Sequence, residues 1–131
     1  MLPKSHQQEY QDFLTLLEPI QSTCTTLLSK TERHQEYRAI QGDILLLQQQ
    51  FQDLQPWFEG HILTLTETEI EPNFISRWRS LQTEIKRAFR LLTTNMLLLK
   101  SSRQTKTVAT RVKTVQDNLD KLTDYCQLLC C

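Results

Sequence analysis

The sequence predicts an all-α fold, an antiparallel four-helix bundle, on three observations. Glycine and proline are scarce, two and four in 131 residues, too few for the turns of a β sandwich or barrel. Apolar residues recur at alternating steps of three and four along four segments, which lays one stripe down each helix. Only one short stretch alternates with period two, and a lone strand has nothing to pair with. The length suits a single domain, 1–131, because a chain of this size buries about two-thirds of its unfolded surface.

The first helix carries Tyr10, Phe13, Leu17, Ile20, Cys24 and Leu27 on one stripe, with Ser5 as its expected N-cap. Pro19 lies inside it, so a kink or break is expected near Glu18. The second helix is the most regular, with Tyr37, Ile40, Ile44, Leu47, Phe51, Leu54 and Phe58 on the stripe and Thr31 as a candidate cap. Pro56 is expected to bend or restart it just before Trp57. Gly42, within this helix, costs about 1 kcal/mol relative to alanine, which the stripe can offset. The stretch LTLTETEI at 63–70 reads as a short extended loop.

A third helix beginning around Asn73 places Trp78, Leu81, Ile85, Ala88 or Phe89, Leu92, Met96 and Leu99 inward. After SSRQTKT at 101–107, a fourth sets Val108, Val112, Val115, Leu119, Leu122, Cys126 and Leu129 at steps of four and three. Short connections between four amphipathic helices imply antiparallel neighbours.

Composition and motifs exclude several functions. The longest apolar runs, residues 44–47 and 96–99, fall far short of the roughly 18 residues of a membrane span, and MLPKSHQQEY has no apolar leader segment. A cytoplasmic protein is expected. His6, His34 and His61 stand singly, and no Glu is followed three residues later by His, the pair a di-iron bundle needs. Cys24, Cys126, Cys130 and Cys131 form no CxxC; Cys126 is expected to be buried, and Cys130 and Cys131 to be frayed terminal thiols. There is no GxSxG and no phosphate-cradling glycine loop. The expectation is a protein that is not an enzyme and has no cofactor, metal or small-molecule substrate.

Charge is the strongest functional signal. The net charge is zero, but residues 1–76 hold four Lys/Arg against eleven Asp/Glu, whereas residues 77–113 hold ten against one. On the third helix Arg79, Lys86 and Arg90 share an outward line, Arg87 lies beside it, Leu97 continues it, and Leu91 and Leu98 flank the stripe. Solvation accounts for such a face most simply. Nucleic acid is the sharper alternative, opposed by an isoelectric point of 6.8 and by the lack of interleaved aromatics. A membrane surface would have to claim a stripe the core already uses. A cluster of like charge beside leucines instead fits an interface with an acidic protein. Arg79, Lys86, Arg87, Arg90, Leu91 and Leu97 are therefore the candidate protein-binding residues, with a homodimeric structural bundle acting as an adaptor as a further alternative; Leu45 and Leu46 raise the same question on the second helix.

LPKSHQQEYQDFLTLLE at 2–18, FQ at 51–52, SRWRSLQTEIKRAFRLL at 76–92 and DYCQLL at 124–129 resemble the small cyanobacterial heterocyst frequency control proteins of the PatD family, over essentially the whole chain. The terminal Cys130 and Cys131 have no place in that resemblance. It implies a cytoplasmic regulator without catalytic activity that limits how often heterocysts differentiate along a filament and acts on the tubulin-like division protein FtsZ, modulating its assembly. It implies no particular site residues.

Overall fold

The computed structural model describes residues 2–130. Four helices account for most of it: α1 (Lys4–Glu32), α2 (Tyr37–His61), α3 (Pro72–Lys100) and α4 (Thr105–Cys130). No strand occurs among the described residues. Connections at 33–36 and 101–104 and a longer one at 62–71 fold the helices back on one another, giving the expected all-α antiparallel bundle. The helices form a ring in which α1 packs closely on α4, α3 on α4 and α1 on α2, while α2 and α3 approach least.

Each helix buries most of the stripe its spacing dictates, although Tyr37 of α2 and Leu81 of α3, both expected inward, are only partly buried. Ile40, Ile44, Leu47, Phe51, Leu54 and Phe58 of α2 are buried, and so are all seven inward residues of α4 from Val108 to Leu129. Burying each such side chain contributes about 1.5–3 kcal/mol, which outweighs weak local propensities and explains why the prolines do not interrupt the helices. Pro19 and Pro56 both lie inside continuous helices, so neither breaks its helix. Both are exposed. The carbonyls of Thr15 and Gln52, which lose their usual i+4 donor, therefore lie on the solvent side of the helix, where water can serve them.

The expected caps are corrected. Pro3 precedes the first turn of α1, with no side-chain cap bond, and Ser5 lies inside the helix. Thr31 belongs to the last turn of α1, where its hydroxyl donates to the Leu28 carbonyl (2.8 Å); Glu36 precedes α2. The end of α1 is a Schellman turn: Gln35 N–H reaches the Lys30 carbonyl and His34 N–H the Thr31 carbonyl, with His34 left-handed at φ 56°. The fourth helix starts at Thr105, earlier than the apolar stripe indicated, and the Thr105 hydroxyl donates to the Gln35 carbonyl (2.9 Å), joining it to the α1–α2 turn.

The 62–71 connector is turn-rich rather than extended. Ile62 and Ile70 anchor its ends in the core, His6 Nε2 lies 2.8 Å from the Thr66 carbonyl, and Arg79 grips Glu67. Cys130 is buried within α4 rather than frayed, because the helix continues through it. Cys131 lies outside the described residues.

Candidate functional site

The site follows from the way α2 and α3 face each other. Both contribute large flat side chains to their shared seam: Phe58 and Phe89 stack with ring centroids 3.8 Å apart and planes within 2°, and Phe51 lies 5.6 Å from Phe89. Two aromatic rings between helices hold the backbones apart, since interaxial distance follows the size of the side chains at the contact. Phe13 of α1 supports the cluster from beneath, 5.3 Å from Phe58.

The result is a trough along the α2–α3 seam. Its widest part, about 490 Å³, is lined by Phe58, Glu59, Leu63, Lys86, Phe89 and Arg90, among others. A narrower part of about 130 Å³ contains Phe51, Met96 and Leu97 and shares Gln55 and Thr93 with the first. A third part of about 310 Å³, bounded by Tyr37, Ile44, Leu45 and Arg103, shares Gln48 and Lys100 with the second. The shared walls make one groove rather than three separate pockets.

This geometry divides the basic stripe. Arg79 makes two 2.6 Å hydrogen bonds to Glu67, and that bond holds the Glu67 carboxyl below its ordinary range and the Arg79 guanidinium above its own. Arg87 is engaged by Glu84 at 2.8 Å, three residues earlier. Both guanidiniums are thus compensated within the chain. Lys86 and Arg90 have no carboxylate partner among the described residues, and both line the groove. Leu97, 64% exposed, stands at its edge. Leu91 is also exposed, but at 100° per residue it points about 120° away from Leu97 around the helix, outside the groove.

Lys86, Arg90 and Leu97 are therefore brought together, whereas Arg79, Arg87 and Leu91 are placed elsewhere. The opposite wall could not be assigned from sequence: Gln48, Gln55, Leu45 and Leu63 belong to it. The doubled leucines at 45–46 signalled an apolar surface on α2, but only the fold shows that Leu45 faces the same trough as Leu97. The side-chain amide nitrogen of Gln48 is enclosed in this wall without a hydrogen-bond partner among the described residues.

A buried polar chain fixes the other end of the bundle. Trp78 Nε1 donates to the Tyr10 hydroxyl (2.9 Å), that hydroxyl donates to Gln82 Oε1 (2.7 Å), and Gln82 Nε2 donates to the Ile62 carbonyl (2.9 Å). Gln82 thereby takes a core position while Leu81 is only partly buried. Burial drives the Tyr10 phenol well above its ordinary pKa, so it stays protonated as the chain requires. The signal for such a partner was present in Tyr10 and Trp78, whose polar tips need one when buried. Burial also pushes the Cys24 thiol up to about 12, which removes it from thiolate chemistry at neutral pH.

Among the described residues no group of three or more His, Cys, Asp or Glu side chains gathers as metal ligands, and no helix is long and apolar enough to cross a membrane. No family model matches the chain, and neither a curated protein nor a solved structure matches it.

Proposed function

We propose that the protein is a non-enzymatic, cytoplasmic regulator of heterocyst differentiation frequency that binds FtsZ and modulates its assembly. The resemblance to the PatD family supplies the partner. The observation that supports a binding role is the placement of Lys86 and Arg90, without carboxylate partners among the described residues, beside exposed Leu97 on a loosely packed seam of the bundle. Basic groups of this kind orient an acidic partner and speed encounter, and the leucine adds area whose burial favours the complex.

Co-sedimentation with polymerised FtsZ tests the reading. The wild-type protein should pellet with polymer, and a Lys86→Glu, Arg90→Glu variant with unchanged helical circular dichroism should remain largely in the supernatant. Arg79→Glu should matter less for binding, because Glu67 already engages that guanidinium. Equal pelleting of the double variant and the wild type would remove Lys86 and Arg90 from the interface.

A further inference from the structure

We infer that the α2–α3 groove receives a single helix of a partner protein, an amphipathic helix of about four turns that carries carboxylates along one flank. This shares with the FtsZ reading only the premise that α3 presents a protein-binding face, and it does not depend on FtsZ being the partner.

The dimensions support a helix. Along α3 the groove runs from Lys86 to Lys100, which at 1.5 Å per residue is about 21 Å, or about four helical turns. Exposed Leu45, Leu63 and Leu97 border the trough over a closed floor of phenylalanines and Met96, and these leucines offer the apolar contacts that helix-in-groove recognition makes with residues spaced i, i+3, i+4 and i+7. Charge selects the helix. Lys86, Arg90, Lys100 and Arg103 follow one another along the α3 side, and Glu59 is the only carboxylate residue among the described lining residues.

A second copy of the chain fits less well. Two grooves face to face would set Lys86, Arg90, Lys100 and Arg103 against the same cations, and like charges at an interface are costly. The opposite side of the bundle is acidic, with Asp117, Asp120 and Asp124 exposed on α4. Yet only Leu16 and Leu128 are exposed leucines on α1 and α4 among the described residues, too few to fill an apolar trough. Nucleic acid is also disfavoured, since Phe51, Phe58 and Phe89 are 5%, 2% and 7% exposed and cannot stack on bases.

The test uses a fluorescein-labelled, helix-stapled peptide of about 15 residues, with leucines on one face and glutamates along one flank, and a counterpart with lysine in place of every glutamate. Fluorescence anisotropy should show the acidic peptide binding the intact protein at least about tenfold more tightly than the basic one. Lys86→Glu with Arg90→Glu should reverse that preference, a charge swap that loss of folding cannot mimic. Thr93→Trp, which fills the groove where its two upper parts meet, should abolish binding; Leu97→Glu serves the same purpose at an exposed position should the tryptophan disturb folding. Lys113→Glu with Lys121→Glu, on α4, should change nothing.

Equal affinity for the two peptides, no binding of either, or loss of binding only in the α4 variant would overturn the inference. So would a native mass that rises with concentration and returns to monomer in Thr93→Trp, which would make the seam a self-interface. Binding of a single-stranded oligonucleotide that the acidic peptide fails to displace and Lys86→Glu, Arg90→Glu abolishes would overturn it in favour of nucleic acid. A wild-type protein that binds the acidic peptide without pelleting with FtsZ supports the groove and removes FtsZ as partner. One that pellets with FtsZ and ignores both peptides removes the groove and leaves the FtsZ reading standing.

Discussion

The α1–α4 seam and the α2–α3 seam belong to one bundle and are built from helices of similar length, yet the first is closely packed and the second is open. Side-chain size contributes to the difference. On α4, the small groups Val108, Val112, Val115 and Cys126 are fully buried beside Leu119 and Leu122, and small groups let backbones approach. The α2–α3 side is made with Phe51, Phe58, Phe89 and Met96, whose bulk keeps the axes apart and leaves a trough above the rings. The compact seam stabilises the molecule, and the open one leaves Leu45, Leu63 and Leu97 exposed beside Lys86 and Arg90, which have no carboxylate partner among the described residues.

The sharpest way to break this contrast is Phe89→Ala. It should destabilise the protein by about 3–5 kcal/mol in urea unfolding, the usual cost of deleting a core aromatic, and spin labels on Gln52 and Thr94 should move closer as α2 and α3 settle together. An unchanged label distance would mean that the stacked rings are not what separates the helices. Next comes a matched leucine pair. Leu119→Ala, fully buried in α4, should cost about 2–5 kcal/mol, whereas Leu97→Ala at the groove edge should stay within about 0.5 kcal/mol. Comparable losses at both positions would show that the α2–α3 seam carries as much stability as the core.

Smaller effects sharpen the picture at the end of the bundle where both seams meet the connector. Tyr10→Phe leaves Trp78 Nε1 and Gln82 Oε1 without their buried partner and should cost about 1–3 kcal/mol; no measurable loss would mean that water replaces the hydroxyl. The smallest effect is set by pH. The folded Glu67 carboxyl is held below its unfolded value by its hydrogen bonds to Arg79. Its contribution is therefore present above the ordinary carboxylate range and is lost as pH falls through the depressed folded value. The pair is exposed, so salt should mute the effect. Amide exchange in 62–71, corrected for its intrinsic pH dependence, should lose protection in acid more than α4 does, and Glu67→Gln should remove the difference.

Much of the fold was legible because burial follows period. Every expected stripe residue of α4 is buried, since a 3-4 repeat can hide on only one side of a helix. The caps were misread at Ser5 and Thr31 because hydroxyl residues mid-helix look like caps until the flanking backbone is known; here Pro3 and the Schellman turn at His34 set the ends instead. Breaks at Pro19 and Pro56 did not occur because a missing N–H is tolerated on a wet face, and which face is wet depends on packing. The site was half legible: Lys86, Arg90 and Leu97 share a line that helical geometry dictates, but Arg79 and Glu67, twelve residues apart and joined across the connector, could not be paired from spacing.

Residue order alone dictates the helices, most of the stripe each one buries, the polarised charge and the scarcity of chemistry-bearing motifs, because these depend on residue type and on periods of a few residues. Which helices touch, the stacking of Phe58 on Phe89 across the seam, and the place of Leu45 and Leu97 beside one groove emerge from the packed bundle alone. Those are relations between residues distant in the chain. They are settled by side-chain volumes at helix contacts, which no local pattern encodes.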